Sequence, residues 1–332
     1  MIRPAMTNRA FHIRAAGPRD GEAMARMCAA LAAHEGAGTP AFTAEDFRRH
    51  GCGSEALFAG LIAERDGRPV GYALHMRDYD TDRLIRCVHV LDLFVENTAR
   101  GGGIGRALMA ASAAAGKAYG AKMAYWGVLA SNPLARGFYR SIGGVENLGM
   151  TLWGVEEAGF AALCRQPPPA GIALRAGRLA DVPALGRFLA GLFADMKEPP
   201  PPEIETRLAR DGFGAASFFE TLIAERGAEP LGYAMFWPTY ETQEAETVIT
   251  LSDLYVLPEA RGLGIGSALM GEAARQGRRR GWNGMWWPVF TSNEPARRYY
   301  ARFAVEDTTA LYCTLDGDGF ERLAAEASPL PP

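Results

Sequence analysis

The 332-residue sequence predicts a mixed α/β fold built twice in tandem, with one sheet in each copy. The first observation is an internal repeat, because LIAERDGRPVGYAL from Leu61 aligns without gaps with LIAERGAEPLGYAM from Leu222. The second is that strand-like and helix-like segments alternate within each copy. A repeat with so long a period indicates a duplicated domain rather than a solenoid. We therefore expect one domain over residues 12–165 and another over 172–325, joined by a proline-rich connector.

Local patterns predict the elements of the first copy in order. Asp20 precedes a helical stretch rich in Ala and Met, Asp66-Gly67 is a common hairpin turn, and Pro133 suits the first turn of a helix. The expected elements are strand 11–15, helix 21–33, helix 44–49, strands 57–64 and 69–79, strand 88–96, helix 103–119, strand 122–129 and helix 133–141. The second copy repeats this order from Ile172 onward.

Composition narrows the classes of function. With 35 basic and 38 acidic residues the net charge is −3, which argues against a cationic surface for nucleic acid or an anionic membrane. No window approaches the roughly 18 apolar residues that span a bilayer. The stretch from Met1 to Arg14 carries Arg3 and Arg9 without an apolar segment, which predicts no signal peptide. Five scattered cysteines and five histidines show no metal-ligand spacing, so we expect a cytoplasmic protein without a metal site.

Closely spaced glycines open a helix after a strand in both copies, at residues 100–105 (RGGGIG) and 261–266 (RGLGIG). Such a turn points backbone N–H groups outward at a helix N-terminus, which makes a cradle for a phosphate or pyrophosphate. A P-loop is excluded because neither copy has the Lys and hydroxyl of GxxxxGK[ST]. A dinucleotide fingerprint is excluded because its third small residue is replaced by Leu108 and Leu269. The alternative is that the glycines only let the helix pack close to the sheet.

The DLFV or DLYV strand before this turn and the pattern N-x(2)-A-x(2)-[FY]-Y after it resemble the GCN5-related N-acetyltransferases (GNAT). The resemblance implies two tandem GNAT-like domains, each a mixed, mostly antiparallel sheet flanked by helices, with acetyl-CoA as the cofactor. In that family the turn holds the pyrophosphate, and the preceding strand is splayed from its neighbour to receive the pantetheine arm. The cofactor contacts implied by the match are Phe94, Val95, Arg100, Gly101, Gly102, Gly103, Ile104, Gly105, Arg106 and Asn132 in the first copy, and Tyr255, Val256, Arg261, Gly262, Leu263, Gly264, Ile265, Gly266, Ser267 and Asn293 in the second.

Acetyl transfer needs a neutral amine, and a lysine-like amine of pKa ~10.4 is neutral about once in two thousand at pH 7. Asp92 and Asp253 precede the turn and are the candidate catalytic carboxylates. The alternative is that they only hold a loop by hydrogen bonds. The resemblance gives Tyr139 and Tyr300 the role of the acid that protonates the departing thiolate, and the alternative for both is an apolar helix face.

The second copy resembles the diamine branch of that family, the spermidine/spermine and thialysine acetyltransferases, through DGFG at residues 211–214 and DLYV at 253–256. This implies direct acetylation of a primary amine on a small, diamine-like molecule. Acidic residues would attract such a cation if they converge on the pocket, and would otherwise form solvated loops: Asp78, Asp80, Asp82, Glu241, Glu244 and Glu246.

Two other functions remain open at this point. One is acetylation of a protein or peptide amine, and the other is a catalytically silent acetyl-CoA-binding sensor. We expect the chain to act as a monomeric pseudo-dimer or a homodimer.

Overall fold

The computed structural model describes residues 11–214 and 216–330, and Arg3 and Arg9 lie outside them. We call residues 12–165 the first half and residues 172–325 the second half. The first half contains β1 (His12–Ala15), α1 (Gly21–Glu35), α2 (Ala44–Gly51), β2 (Ala59–Arg65), β3 (Arg68–Asp80), β4 (Ile85–Val95), α3 (Ile104–Ala118), β5 (Met123–Leu129), α4 (Pro133–Ser141), β6 (Val145–Asn147), β7 (Met150–Val155) and α5 (Glu157–Cys164). The second half contains β8 (Ala173–Ala176), α6 (Val182–Met196), α7 (Ile204–Gly212), β9 (Glu220–Arg226), β10 (Glu229–Glu241), β11 (Glu246–Val256), α8 (Ile265–Arg279), β12 (Met285–Phe290), α9 (Glu294–Tyr300), β13 (Val305–Asp307), β14 (Ala310–Asp316) and α10 (Gly317–Ala325).

The predicted mixed, mostly antiparallel α/β fold is confirmed, and it occurs twice. Local chemistry explains several boundaries. Thr43 caps α2 by accepting a hydrogen bond from the Asp46 amide, and Asp66 and Gly67 take positive φ in the hairpin turn. The side-chain oxygens of Asn132 and Asn293 accept from amides further along the first turn, so both asparagines cap their helices.

The two sheets exchange strands, which the internal repeat did not reveal. The first sheet has the order β1-β2-β3-β4-β5-β14-β6, and the second has the order β13-β7-β12-β11-β10-β9-β8. Strand β14 pairs with β5 from Ala310↔Leu129 to Asp316↔Met123, while β7 pairs with β12 in the same antiparallel manner. Helix α5 correspondingly packs on α8, and α10 packs on α3. The limits 12–165 and 172–325 therefore describe the sequence repeat, whereas each sheet is completed by the other half.

Each sheet opens into a cleft beside its one parallel strand pair. Strands β4 and β5 pair only over Cys87–His89, and β11 and β12 pair only at Ile249 and Thr250. Beyond these residues β4 and β11 continue alone on that side. The pairing with the preceding strand skips Leu91 and Ser252, so each central strand is bulged just before its aspartate.

The hairpin tips hold the two halves together reciprocally. Tyr79, at the end of β3, packs 4.9 Å from the Phe219 ring of the second half, and Tyr240, at the end of β10, packs 4.9 Å from the Phe58 ring of the first. Asp211 at the end of α7 is fully buried and accepts a hydrogen bond from Arg86 of the first half. Each half thus contributes the loop that borders the other half's central strand.

Within residues 11–214 and 216–330, no helix has the length and apolar character to cross a membrane. The same residues contain no group of three or more His, Cys, Asp or Glu side chains arranged to hold a metal ion.

Candidate active site

The glycine turns form open backbone cradles in both halves. Gly101 and Gly103 have φ of +80° and +84°, and Gly262 and Gly264 have +78° and +81°, a region that favours glycine. In the described part of the chain, nothing accepts a hydrogen bond from the backbone N–H groups of residues 101–106 or 262–267. These N–H groups lie at the N-termini of α3 and α8, so each turn is built to receive an anion.

Two arginines fasten these turns to the ends of the central strands. Arg100 donates through Nε to the Val95 carbonyl, and Arg261 donates through Nε to the Val256 carbonyl, both at 2.9 Å. The guanidinium groups are therefore used to set the shape of the turn. The roles of Arg100 and Arg261 as cofactor contacts stay predictions.

Two further side chains predicted to contact the cofactor already have partners within the protein. Arg106 forms a bidentate ion pair with Glu326, at 2.6 Å for both contacts, just beyond the exchanged helix α10. The Ser267 hydroxyl lies 2.7 Å from the Tyr299 hydroxyl. Their role as cofactor contacts stays a prediction.

Asp253 is buried and hydrogen-bonded through both carboxylate oxygens. Oδ2 accepts from the Tyr233 hydroxyl and Oδ1 from the Thr81 hydroxyl, each at 2.8 Å. Thr81 belongs to the first half, so Asp253 ties the halves together beside the cleft. Burial raises the pKa of this carboxyl, and the hydrogen bonds only partly offset the effect.

Asp92 has the equivalent arrangement in the first half. Its Oδ2 accepts from the Tyr72 hydroxyl at 2.9 Å and its Oδ1 from the Thr242 hydroxyl of the second half at 3.0 Å. Burial again raises the pKa of the carboxyl. The loop-holding role that the sequence left open is therefore present at both aspartates.

Tyr139 and Tyr300 occupy matching positions on α4 and α9. Each is 9% exposed and packs 4.9 Å from a tryptophan ring, Trp126 and Trp287 respectively. Burial raises the pKa of both phenols, so both carry their proton at neutral pH. Only Tyr300 borders the cavity described next.

A cavity of about 370 Å³ lies between the two halves and reaches Asp253, Asn293 and Tyr300. Its wall carries two carboxylates from each half: Asp80, Asp82, Glu241 and Asp253. Of the six acidic residues considered in the sequence, Asp80, Asp82 and Glu241 thus converge on a pocket. Asp78 is buried behind it, Glu246 accepts from Asn283, and Glu244 is exposed.

Asp82 is the carboxylate whose role the sequence could not indicate. Its side chain is accessible within the cavity, although it comes from the first half and the site belongs to the second. Desolvation, together with the negative charges of Asp80 and Asp253, raises its pKa to about 7. A carboxyl group with this pKa can exchange a proton near neutral pH.

The equivalent position near the first cleft is an amide that is tied to a loop. The offset that relates Leu61 to Leu222 places Gln243 opposite Asp82, and the Gln243 Nε2 donates to the Gly38 carbonyl at 3.2 Å. The backbone carbonyl of Gln243 accepts from the Ala41 amide at 2.8 Å. The regions beside the two clefts therefore differ. The second cleft has an ionisable carboxyl that faces a cavity, whereas the first has an amide that is hydrogen-bonded to a loop.

Comparison with known proteins finds one family model matched once in each half of the chain. The model of the Acetyltransferase (GNAT) family matches residues 34–143 and 189–304. Thialysine N-epsilon-acetyltransferase of Mus musculus is 30% identical over 132 residues, which is 36% of this chain and 77% of that protein. The Bos taurus enzyme of the same name is 29% identical over 134 residues, 37% of this chain and 78% of that protein.

Two solved structures share the whole two-half architecture. A GCN5-related N-acetyltransferase from Sphaerobacter thermophilus aligns with a TM-score of 0.54 at 19% identity, covering 92% of this chain and 95% of that one. A tandem GNAT protein from the clavulanic acid biosynthesis pathway aligns with a TM-score of 0.51 at 15% identity, covering 92% and 98%. At these identities the likeness shows a common fold.

Proposed function

We propose that this chain, which belongs to the GNAT acetyltransferase family and is an N-acetyltransferase, uses its second half to transfer the acetyl group of acetyl-CoA directly to a primary amine of a small molecule. The observation that carries the proposal is the cavity beside the second cleft, which Tyr300, Asp253 and Asp82 all line. It combines a phenol with an ionisable carboxyl, the two proton-handling groups that amine acetylation needs.

The second half has the groups required to hold the coenzyme. When bound, acetyl-CoA supplies the acetyl thioester. The N–H groups of residues 262–267, which have no acceptor among the described residues, are suited to the diphosphate. The stretch of β11 around Tyr255 and Val256, unpaired on its cleft side, can hydrogen-bond the pantetheine amides and offer an N–H to the carbonyl oxygen.

Asp82 is the group we assign to remove the amine proton. With a pKa of about 7 it is half ionised at pH 7, whereas an ordinary carboxylate would be a far weaker base. Asp253 has both oxygens occupied by neighbouring hydroxyls, and we assign it the role of positioning the adjacent backbone and Thr81. In this scheme Asp253 acts through its neighbours and Asp82 acts on the substrate.

Tyr300 is the group we assign to protonate the departing thiol. Its raised pKa keeps the proton on Oη at neutral pH, so Oη can donate a hydrogen bond to the sulfur as charge develops on it. The tyrosine borders the same cavity as Asp82. The amine and the thiol can therefore both be reached from the same cavity.

Three observations favour a small amine and the second half. The cavity lies between the halves and has a volume of about 370 Å³, a size that suits a small molecule better than a protein chain. Its carboxylates favour a cation, consistent with the similarity to thialysine acetyltransferases. Near the first cleft, Gln243 of the second half takes the place that the ionisable Asp82 has near the second cleft, so we assign the first half no turnover. Because the strand exchange is satisfied within one chain, we further propose a monomeric pseudo-dimer.

The test mixes the protein with acetyl-CoA and a panel of small primary amines and follows the release of free thiol. Tyr300→Phe should lower kcat by about 100-fold or more, because general acid–base groups contribute factors of this size. Tyr139→Phe is the matched control and should leave kcat near that of the wild type. Equal losses in the two variants would contradict the assignment to the second half, and no thiol release with any amine would favour a sensor.

A further inference from the structure

The chain carries almost all of its positive charge on arginine. Of its 35 basic residues, three are lysines: Lys117, Lys122 and Lys197. An arginine side chain stays charged at every pH that proteins experience, whereas a lysine amine becomes a nucleophile once it loses a proton. This acetyltransferase therefore offers three side-chain amines to its own chemistry.

Two of the three lysines are paired with a glutamate outside the cavity. The Nζ of Lys117 lies 2.5 Å from Glu321, and that of Lys122 lies 3.7 Å from the same carboxylate. Neither lysine lines the cavity, and Glu321 belongs to α10. Lys197 differs from both, because its side chain is exposed and has no carboxylate within ion-pair distance among residues 11–214 and 216–330.

Lys197 ends α6 in a backbone conformation that L side chains rarely adopt. Its φ is +60° and its ψ is +31°, in the left-handed region. At the offset that relates Leu61 to Leu222, Lys197 corresponds to Gly36, which ends α1 with a φ of +75°. The same turn is thus built with glycine in one half and with lysine in the other. The fold requires the backbone shape of this turn but not the lysine side chain.

The last turn of α6 connects the second glycine turn to the cavity. Asp195 pairs with Arg261 at 2.5 Å, and Arg261 in turn donates to the end of β11. The next residue, Met196, lines the cavity. Lys197 follows directly, so its backbone is one residue from the cavity wall and two residues from the contact with the glycine turn.

The charge of the cavity favours an ammonium group at its rim. Four carboxyl groups line it: Asp80, Asp82, Glu241 and Asp253. Arg83, the arginine among the lining residues, already pairs with Asp316 at 3.1 Å. A lysine side chain is a flexible four-carbon stem that ends in a compact charge, so the Nζ of Lys197 can turn from solvent toward these carboxyl groups.

We propose that the second half acetylates Lys197 of its own chain, which makes Lys197 a modification site. The inference rests on the proposed function and adds an acceptor that belongs to the protein itself. Nζ forms a bond to the acetyl carbonyl carbon as the bond from that carbon to sulfur breaks. Of the two protons that the ammonium loses, one leaves through Asp82 and the other replaces the proton that Tyr300 gives to the sulfur. The product is a neutral amide in place of a cation.

The first experiment asks whether Nζ reaches the cavity, and it needs no coenzyme. A water-soluble carbodiimide joins amines to carboxyl groups in contact with them, and mass spectrometry of the digested protein identifies the joined peptides. Lys117 and Glu321 form the positive control. We expect Lys197 to couple to Asp82 or Asp80, with the Asp82 product absent from Asp82→Asn. Coupling of Lys117 to Glu321 without coupling of Lys197 to either aspartate would overturn the proposal.

The second experiment follows acetylation of each lysine by mass spectrometry after incubation with acetyl-CoA alone. Lys117 and Lys122 report the uncatalysed reaction in the same sample, and Lys197 should react at least about tenfold faster. Tyr300→Phe should return Lys197 to that uncatalysed rate, because a general acid contributes a factor of about 100. Tyr139→Phe is the matched control and should leave the rate at Lys197 unchanged. A roughly hundredfold dilution of the protein should also leave its rate constant unchanged, as an intramolecular transfer requires.

The outcomes separate this inference from the proposed function. If small amines release thiol but Lys197 is acetylated no faster than Lys117 and Lys122, self-acetylation is wrong and the proposed function stands. A rate constant at Lys197 that falls in proportion to protein concentration would place the transfer between molecules and would also overturn the inference. If no amine releases thiol and Lys197 acquires no acetyl group, both proposals fail.

Discussion

Replacing Asp82 by Asn removes the group to which we assign proton abstraction and keeps its size. At pH 7 we expect kcat/KM to fall by about 100-fold, the lower end of what a general base contributes. The pKa of about 7 also fixes how the loss changes with pH. The ionised fraction of Asp82 is roughly 9% at pH 6, 50% at pH 7 and 91% at pH 8, so wild-type activity should rise through neutrality and then level off.

The variant should behave differently because it can use only amine that is already neutral. That fraction grows about tenfold per pH unit until the amine pKa near 10.4. A 100-fold deficit at pH 7 should therefore shrink to about twofold at pH 9. The assay is thiol release from acetyl-CoA across pH 6 to 10, with Glu244→Gln as the control for removal of one carboxylate.

Two results would refute this reasoning. If wild type and Asp82→Asn gave parallel pH profiles with a constant ratio, Asp82 would not be the base. If wild-type activity kept rising tenfold per pH unit above pH 8, no group in the protein with a pKa near 7 would govern proton removal.

Three further predictions concern the fold and the coenzyme site. Asp211→Asn should lower the free energy of unfolding by about 3 kcal/mol at pH 7, because it leaves two arginines without their buried partner. Burial alone would raise the pKa of Asp211, but these arginines lower it, so the stabilisation by Asp211 is lost as the pH falls below roughly 4. Denaturant titrations at pH 7 and pH 3 should show the difference in stability between wild type and variant shrinking. Gly264→Ala adds a methyl group to a residue with a φ of +81° in the turn, and calorimetry should show acetyl-CoA binding weakened at least about tenfold. Gly281→Ala, at a φ of +84° beyond α8, is the control: it introduces the same backbone strain of about 1–2 kcal/mol and should leave acetyl-CoA binding unchanged. Residues 12–165 and 172–325 expressed separately should fail to give cooperative thermal transitions, and co-expression should restore one, because without the other half each sheet lacks the strand next to its edge. Two independent transitions from the separate pieces would contradict the strand exchange.

The sequence alone was sufficient wherever the determining interactions are local. Asn132 caps α4 and Gly264 takes a positive φ because a side chain or a missing Cβ acts on its own backbone. The same holds for strands β1 to β5, whose extent follows from the pattern of apolar and polar residues and from the turn residues between the strands. The duplicated glycine turns, the candidate aspartates and the tyrosines could all be placed on their elements in this way.

Strand pairing could not be settled by such local signals. In a duplicated chain, β7 could pair with β5 of its own half or with the equivalent strand β12, because these two strands present closely similar edges. The choice depends on the whole arrangement of the two halves, including buried contacts such as that of Asp211 with Arg86.

The location of the proposed amine-binding site follows from this choice of strand pairing. Asp82 lies in the first half of the sequence but faces the cleft of the second, and Tyr312 lies in the second half but forms part of the first sheet. Residue types and spacing determined the family resemblance and the position of the glycine turns, because those depend on backbone geometry within one segment. Tertiary structure alone decided which carboxylates share a cavity and how burial shifts their pKa values, because both depend on distances between segments far apart in the chain.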